Sequence, residues 1–356
     1  MTKPDVRKGQ ASVALTRKEF ERRFRERFYD PAYEAIEPEL ARVIDVAWQA
    51  YHKYHKSPRT RPAGGGFHDA GMQLPVEWLA TRKAIRDAEK RRADPQSPSR
   101  ILLVSGSMRS DQTCPGEIPK SWRVAKIAEK LIRRQRGFEV DFLDLSLLTS
   151  EYGRTINPCK SCVSTAMPLC NWPCSCYPNH AMGQTGDWMN EIYPRWAAAH
   201  GVMIVTPVNW YQAPGGLKLM IDRLVCADGG NPDPTLTGGK DPARAKALEL
   251  KGWDYPQHLA GRAFSVVVHG DAAGVENLRR ILCDWLSDLG MHEASAVGAY
   301  VGYYQPYATS HDDLDKDAAF QAEAANAASA LVNLVKQMRS GKFKAPDAGL
   351  KAPRQK

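Results

Sequence analysis

The sequence lacks any long apolar stretch, and this absence limits where the chain can act. No run of apolar residues approaches the roughly 18 that a membrane-spanning helix requires. The first ten residues, Met1–Gln10, are polar and contain no apolar signal core. We therefore predict a cytoplasmic protein with no membrane partner.

Motifs for binding dinucleotides or nucleic acids are also absent. The chain contains no G-x-G-x-x-G fingerprint, no P-loop, and neither a zinc-finger nor an RNA-recognition signature. Its formal net charge is +9, and residues 1–99 carry 20 basic against 14 acidic residues. Because the acidic residues are interleaved with the basic ones, this excess is typical of a solvated helical surface. We expect no nucleic-acid partner.

After Arg100 the sequence alternates short apolar runs with amphipathic stretches, which predict strands and helices in turn. The predicted strands are Ile101–Ser105, Phe138–Leu143, Val202–Thr206, Ala263–His269 and Ala294–Tyr300. The predicted helices of this part are Ser121–Arg136, Gly215–Ala227, Gly274–Leu289 and Asp315–Met338. Strands separated by helices predict an α/β fold with a doubly wound, five-stranded parallel sheet.

The rest of the chain divides around this core. An N-terminal helical region is predicted because Phe20, Phe24 and Phe28 recur at helical spacing. Two stretches within the core exceed a minimal fold, one rich in Cys and one rich in Gly and Pro. The predicted parts are a helical extension and linker (1–99), the core domain (100–340), a Cys-rich insertion (150–186), a loop insertion (228–260) and a basic tail (341–356).

The turn after the first strand has the features of a phosphate site. Gly106 permits a tight turn, and the following helix N-terminus offers N–H groups and hydroxyls to an anion. Arg109 adds a forked donor that suits phosphate. The residues predicted to bind here are Ser107, Arg109, Lys120, Ser121 and Trp122. The alternative interpretation is a polar connection with no ligand.

Two further loops follow the third and fourth strands. Since open α/β sheets bind ligands at the carboxyl ends of their strands, we predict that these loops line the same site. The first offers flat aromatic surface, and the second offers small residues that let the backbone approach a planar ligand. The predicted contacts are Pro207, Val208, Asn209, Trp210, Tyr211, His269, Gly270, Asp271 and Gly274. An aromatic plug and a satisfied strand-end histidine are the alternatives.

Residues 101–300 resemble the NAD(P)H-dependent FMN reductase branch of the flavodoxin-like superfamily. The resemblance is carried by Gly106-Ser107-Met108-Arg109, Thr206-Pro207-Val208-Asn209-Trp210 and Leu217-Lys218-Leu219-Met220-Ile221-Asp222-Arg223. It implies a flavodoxin-like sheet of order 2-1-3-4-5, with the FMN phosphate in the first loop and the FMN ring beside the other two. It also implies NAD(P)H as co-substrate. The first loop is usually short in this family, whereas Asp111–Pro119 lengthens it here.

Five of the eight cysteines fall within one short stretch: Cys159, Cys162, Cys170, Cys174 and Cys176. In a cytosolic chain such clustering is typical of metal or redox chemistry before disulfides. The residues leave open a [4Fe–4S] cluster, zinc, or free redox-active thiols, since both metal groups take four thiolates. The chain is also similar to iron–sulfur flavoproteins of the same superfamily, whose compact Cys motif follows the second strand. That resemblance favours [4Fe–4S], although the cysteines are more closely spaced in those proteins.

The combined resemblance implies an FMN-dependent NAD(P)H oxidoreductase. Its electrons would pass to a quinone, a nitro or azo compound, another small acceptor, or a redox protein. The alternatives are a flavodoxin-like electron carrier without NAD(P)H turnover and, more remotely, a zinc-bearing structural module. Because relatives build flavin sites at subunit interfaces, we expect a homodimer or homotetramer.

Overall fold

The computed structural model describes residues 14–53, 58–114, 116–270, 274–294 and 316–345. Its strands are β1 (Thr60–Pro62), β2 (Gln73–Pro75), β3 (Ser99–Ser105), β4 (Phe138–Asp144), β5 (Gly201–Pro207), β6 (Ala263–His269) and β7 (His292–Glu293). Its helices are α1 (Arg17–Arg25), α2 (Glu37–Lys53), α3 (Val76–Ala93), α4 (Lys120–Arg133), α5 (Leu147–Ser150), α6 (Met189–Ala198), α7 (Gly215–Arg223), α8 (Pro242–Leu250), α9 (Val275–Asp288) and α10 (Ala318–Arg339).

The central sheet is parallel throughout and has the order β4-β3-β5-β6-β7. Numbered by their occurrence in the sheet, the strands run 2-1-3-4-5, which is the flavodoxin-like order and confirms the predicted fold. The strand β6 has the predicted bounds. At the fifth strand, pairing with β6 begins at His292 and Glu293, and residues 295–300 of the predicted strand lie outside the described residues.

Alternating side chains of the strands divide the core into two layers. On β3, Leu102 and Val104 face a cluster built with α3, α6, α7 and α9. Ile101 and Leu103 face the opposite cluster, which is built with α4 and α10. All four side chains are fully buried, and each contributes about 1.5–3 kcal/mol to folding. The two layers leave the carboxyl ends of the strands open at one edge.

The N-terminal region packs on the core through α3. Ile85 and Ala88 of this helix belong to the core cluster on the α6 side of the sheet. The Trp78 indole N–H donates to the Pro173 carbonyl over 2.7 Å, which ties α3 to the Cys-rich stretch. In the helices before it, the Phe20 ring is buried and lies 5.0 Å from the Tyr51 ring. Of the predicted aromatic stripe, Phe20 is therefore buried between α1 and α2, whereas Phe24 and Phe28 are half-buried.

Two stretches outside the predicted strands and helices contain regular structure. Residues 60–75 form a small antiparallel hairpin of β1 and β2. Within 228–260, Asp241 caps α8 by accepting hydrogen bonds from the Ala243 and Arg244 amides, and Pro242 occupies the first helical position. Among the helices of the described ranges, none is sufficiently long and apolar to cross a bilayer.

Candidate functional site

The first loop leaves β3 at a point where only glycine fits. A Cβ on Gly106 would lie 2.5 Å from Thr206 Oγ1 and 3.0 Å from Leu217 Cδ2. The Gly106 amide also donates to the Val205 carbonyl over 2.8 Å. Because this approach leaves no room for a side chain, Gly106 holds the first loop directly against the end of β5.

The predicted phosphate residues of this loop have partners within it. The buried Ser107 hydroxyl accepts a hydrogen bond from the Arg109 amide over 3.1 Å. The Arg109 guanidinium lies 3.6 Å from the Glu117 carboxylate, inside the lengthened part of the loop. A cleft of about 160 Å³ beside them is lined by Arg109, Ser110, Asp111, Ile118, Pro119, Trp122 and Asp144. Glu117 therefore competes with any phosphate for the Arg109 side chain.

The helix after this loop, α4, begins with an open N-terminus. Pro119 at the N-cap provides no side-chain acceptor, and no acidic residue lies in the first turn. Such an end presents backbone N–H groups and a partial positive charge that favour an anion. Lys120 adds a full positive charge in the same turn. This donor set fits a phosphate group.

Ser121 and His269 join the first loop to the third. Ser121 Oγ lies 2.6 Å from His269 Nε2, and both side chains are buried. Burial, aided by the charge of Lys120, lowers the pKa of His269 to about 4, so the ring is neutral at pH 7. When Nε2 carries the ring proton, it donates to Ser121 Oγ and leaves the serine proton for a ligand oxygen.

The second loop is a tight turn that displays two aromatic side chains. Asn209 and Gln212 exchange backbone hydrogen bonds of 2.9 and 3.0 Å around Trp210 and Tyr211. The φ angles of these two residues are 44° and 71°, a left-handed conformation that costs a non-glycine residue about 1–2 kcal/mol. Trp210 is 88% exposed and Tyr211 is 55% exposed. The turn thus holds flat apolar surface outside the core.

The third loop packs closely beneath the second. The His269 carbonyl accepts a hydrogen bond from the Val208 amide over 2.8 Å. A Cβ on Gly270 would lie 2.5 Å from Val208 Cγ1, and one on Gly274 would lie 2.8 Å from Tyr211 Cα. Gly274 also has a φ of 107°, which suits only glycine. Both glycines are therefore required by the contact between the two loops.

The structure brings the three predicted loops together at one edge of the sheet. The donors at the start of α4 fit a phosphate, and the rings of Trp210 and Tyr211 fit a planar heterocycle, so the residues present fit FMN. Asp271 lies outside the described residues. The roles of the individual residues toward FMN stay predictions.

A second group of residues consists of five thiols that lie close enough together to act on one another's ionisation. The interacting neighbours follow the order Cys226, Cys170, Cys162, Cys176, Cys174. Cys226 is buried, and its thiol donates to the Arg223 carbonyl over 3.2 Å. We call these five residues the thiol network. Sequence spacing gave no signal for Cys226, because it lies far from the other four along the chain.

The contacts of Cys159 are different. Its sulfur accepts a hydrogen bond from the Ser161 amide over 3.3 Å. It lines a separate cleft of about 350 Å³ with Ile221, Val225 and Trp285. The structure therefore groups four of the five predicted metal ligands with Cys226 and places Cys159 beside them. Which of these residues bind metal stays a prediction.

Lys240 lies against the middle of the thiol network. Its ammonium donates to Cys176 Sγ over 3.4 Å, to Cys162 Sγ over 3.6 Å and to the Leu169 carbonyl over 3.2 Å. Burial would lower the pKa of Lys240, but the neighbouring Cys176 and Cys162 raise it above its ordinary value. Sequence analysis missed this residue because it belongs to the stretch predicted as a loop insertion.

Three buried donors in the Cys-rich stretch and on the arginine that anchors it lack an acceptor in the described part of the chain. Arg223 Nε, Asn157 Nδ2 and Asn171 Nδ2 are buried and have no hydrogen-bond acceptor among the described residues. A buried donor left unsatisfied costs about 1–3 kcal/mol. The sulfurs of an iron–sulfur cluster accept such hydrogen bonds, so these residues fit a cluster.

The thiols do not have the grouping of a single-ion site. Across the described part of the chain, no three or more Cys, His, Asp or Glu side chains are grouped so that they could hold a metal ion. A single zinc ion needs its four ligands to converge on one point. A cluster differs, because each of its irons takes its own thiolate. The case for a cluster therefore depends on the surrounding donors.

Arg223 anchors the Cys-rich stretch from within. One guanidinium nitrogen lies 2.6 Å from Asp187 Oδ2, and the other donates to the Asn157 carbonyl over 2.8 Å. The guanidinium also stacks on the Tyr177 ring at 4.7 Å. Its positive charge acts on the Cys174 thiol. This buried arginine is a structural centre of the stretch that carries the thiols.

The helix α7 connects the loop site to the thiol network. At its start, a Cβ on Gly216 would overlap the Met108 side chain of the first loop. At its end, Arg223 lies near Cys174. The rise of 1.5 Å per residue puts these two points roughly 10 Å apart along the helix. One short helix therefore contacts both groups of residues.

Comparison with known proteins agrees with this geometry. Residues 99–305 match the family model described as NADPH-dependent FMN reductase. An iron-sulfur flavoprotein from Methanosarcina thermophila is 31% identical over 126 residues, which cover 35% of this chain and 52% of that protein. The chain thus spans about half the length of this curated relative.

Solved structures of flavin proteins are similar at low identity. RosB with a bound 8-demethyl-8-formylriboflavin-5'-phosphate intermediate has a TM-score of 0.46 and 13% identity, covering 69% of this chain and 82% of its own. An apo NADH:FMN oxidoreductase has a TM-score of 0.37 and 14% identity, covering 70% of this chain and 92% of its own.

Proposed function

We propose a function that follows from family membership: the chain belongs to the NADPH-dependent FMN reductase family. It is therefore a flavin oxidoreductase that uses FMN and NADPH. When bound, FMN would supply hydride acceptance from the nicotinamide and onward transfer of the electrons. The finer proposal is that these electrons reach a quinone, a nitro or azo compound or another acceptor, with an iron–sulfur cluster assisting. The observation that most supports FMN binding in this chain is the meeting of three loops around Ser121 and His269.

The start of α4 would hold the phosphate of FMN. Its open N-terminus and the charge of Lys120 attract the phosphate, and Ser107 and Ser121 offer hydroxyl groups close by. His269 is neutral and therefore orients Ser121 without adding a second positive charge. These residues bind and orient the cofactor, and none of them is assigned to hydride transfer itself.

The turn at Trp210 and Tyr211 would cover the ring of FMN. Its exposed aromatic surface excludes water from one side of a planar ligand. Val208 and Gly270 lie against each other at its base, which lets the backbone approach the ring edge. Backbone N–H groups of this turn would offer hydrogen-bond donors to the edge of the ring. NAD(P)H would then bind on the open side.

The thiol network would hold a [4Fe–4S] cluster, which supplies one-electron transfer when it is bound. Support for this part comes from the unsatisfied donors of Arg223, Asn157 and Asn171 and from the clustered thiols. The iron-sulfur flavoprotein similarity covers only part of that relative. Zinc remains the alternative, and metal analysis separates the two.

We further propose that the protein is cytoplasmic and assembles as a homodimer or homotetramer. The large exposed surface of Trp210 and Tyr211 would be covered by another subunit or by the bound nicotinamide. Light scattering of the FMN-loaded protein tests the assembly, and a monomer at micromolar concentration would reject it.

Anaerobic purification followed by FMN, iron, sulfide and zinc analysis tests the function. We expect bound FMN, iron with sulfide, and oxidation of NADPH or NADH in the presence of a quinone or nitro acceptor. Bound FMN with no turnover on any acceptor would instead support an electron carrier. Colourless protein that refuses added FMN would reject the whole proposal.

Two lysines of α4 provide a matched comparison for the FMN site. Lys120→Met should weaken FMN binding because it removes a charge at the open end of the helix. Lys130→Met, in the last turn of the same helix, should leave FMN binding unchanged. Equal FMN dissociation constants for the two variants would contradict the assignment of the phosphate to this helix end.

A further inference from the structure

We infer that Lys240 is the fixed counter-charge of the thiol network, and that it helps to hold the cluster and raises its reduction potential. The inference rests on the proposed function, since it concerns the cluster placed there. Lys240 lies outside the Cys-rich stretch, and no motif marks it. The half-buried Lys240 ammonium donates hydrogen bonds to the sulfurs of Cys162 and Cys176.

In the described part of the chain, no carboxylate forms an ion pair or hydrogen bond with the Lys240 ammonium. Among the described residues, its hydrogen bonds go only to two sulfurs and one carbonyl. The neighbouring Asp241 is directed elsewhere, because its carboxylate accepts from the Ala243 and Arg244 amides at the start of α8. A partly buried charge without a counter-ion is costly, so the ammonium would be balanced once the neighbouring sulfurs become the thiolate ligands of a cluster.

The position of Lys240 is central to the thiol network. It contacts Cys162 and Cys176, which are adjacent members in the middle of the five-thiol chain. Two thiols lie beyond Cys162 and one lies beyond Cys176. The charge of this ammonium interacts with four members of the network, Cys176, Cys162, Cys174 and Cys170.

The backbone around Lys240 fixes where its side chain starts. Gly238 and Gly239 both have positive φ, at 57° and 89°, and form a turn that larger residues adopt with strain. The buried Thr237 hydroxyl donates to the Gly239 carbonyl, and the Asp241 amide donates to the Thr237 carbonyl over 2.9 Å. Lys240 therefore lies between a closed turn and a capped helix, which fix the backbone from which its side chain extends.

The positive charge of Lys240 would shift the reduction potential of the cluster upward. A cluster with four thiolate ligands carries net negative charge, and reduction adds one more electron to it. A nearby positive charge stabilises the reduced form more than the oxidised form, so it raises the potential. The same charge opposes dissociation of the thiolates and slows loss of iron.

The test compares Lys240→Met and Lys240→Arg with Lys246→Met in the anaerobically prepared, FMN-loaded protein. Lys246 belongs to the following helix and donates to the Glu249 carboxylate over 2.6 Å, so it is the matched control. We expect Lys240→Met to lose iron to a chelator about tenfold faster than wild type and to have a more negative cluster potential. Lys240→Arg should largely restore both values, and Lys246→Met should match wild type.

The outcomes separate this inference from the proposed function. Equal iron loss and equal potential in Lys240→Met and wild type would overturn the inference alone. Iron retention that depends on Lys240, together with no NAD(P)H oxidation, would overturn the proposed activity and leave the inference standing. Wild-type protein that binds FMN but holds no iron would overturn both the cluster and the role of Lys240. Circular dichroism of each variant shows whether a loss comes from misfolding.

Discussion

Ser121 Oγ and His269 Nε2 lie 2.6 Å apart in the interior, although the two residues belong to different ends of the core sequence. The contact joins the start of α4 to the end of β6. It thereby holds the first loop, proposed to bind phosphate, next to the third loop, proposed to border the ring. Because the His269 ring is neutral and buried, the pair depends on pH. The first prediction follows from this dependence.

Acidification should destabilise the protein between about pH 6.5 and pH 4. The folded chain holds His269 with its pKa lowered to about 4 by burial, whereas the unfolded chain binds the proton near 6.5. The stability due to this residue is thus present above pH 6.5 and is lost as the pH falls through that window. The loss in free energy of unfolding is on the order of 3 kcal/mol. His200 shifts in the same direction and adds to the loss.

Urea unfolding at several pH values checks this prediction with His269→Gln. The glutamine keeps a hydrogen-bonding side chain but does not titrate. The variant should lose less stability than wild type between pH 6.5 and pH 4. Parallel pH profiles for the two proteins would contradict the assigned role of His269.

Replacing Gly106 by alanine should destabilise the protein and weaken FMN binding. The new Cβ would lie 2.5 Å from Thr206 Oγ1 and force β3 and β5 apart, at a cost of about 1–3 kcal/mol. Gly215→Ala is the control, since a Cβ there meets no atom within 4 Å. Thermal unfolding and FMN titration of both variants provide the measurement. Unchanged FMN affinity in Gly106→Ala would count against the first loop as part of the site.

Trp210→Gly should stabilise the fold while impairing the reaction. Glycine adopts the φ of 44° without strain, so the free energy of unfolding should rise by about 1 kcal/mol. Loss of the exposed ring should raise the KM for NAD(P)H or weaken FMN binding. Tyr29→Ala, which removes a 90% exposed ring in the N-terminal region, should alter neither property. A Trp210→Gly variant with wild-type kinetics would show that the turn does not contact the reactants.

Cys226→Ala should release iron about tenfold more readily than wild type, whereas Cys159→Ala should retain it. Cys226 belongs to the thiol network, and Cys159 lines a different cleft. Iron and acid-labile sulfide analysis after a chelator challenge measures the difference. If Cys159→Ala released iron and Cys226→Ala retained it, Cys159 and not Cys226 would be the cluster ligand, as the sequence spacing predicted.

Arg223→Met should cost about 3–5 kcal/mol of stability, because it leaves the buried Asp187 carboxylate unpaired. The double variant Arg223→Met/Asp187→Leu should recover much of this loss, since it removes both charges. Lys83→Met, from the exposed pair with Asp87, should cost less than about 1 kcal/mol. Chemical denaturation of the four proteins tests the series, and a double variant no more stable than the single one would refute the ion-pair explanation.

The fold could be predicted from local sequence because its signals are local. The apolar run at Ala263–His269 is a strand buried on both faces. Its bounds could be predicted without knowing which strands lie beside it. The helix after β5 was predicted to Ala227 but is α-helical only to Arg223, where the backbone tightens into a 3-10 turn. Helix ends depend on such local adjustments, which periodicity does not encode.

The sequence by itself determined the order of strands and helices and the three loops at the carboxyl edge, since apolar periodicity and turn residues act within a few positions. Only the tertiary structure decided that Ser121 meets His269, that Cys226 joins the thiols, and that Lys240 lies among them. Each of these contacts joins residues distant in the chain, and their proximity depends on how the helices pack on the sheet. No local pattern specifies that packing.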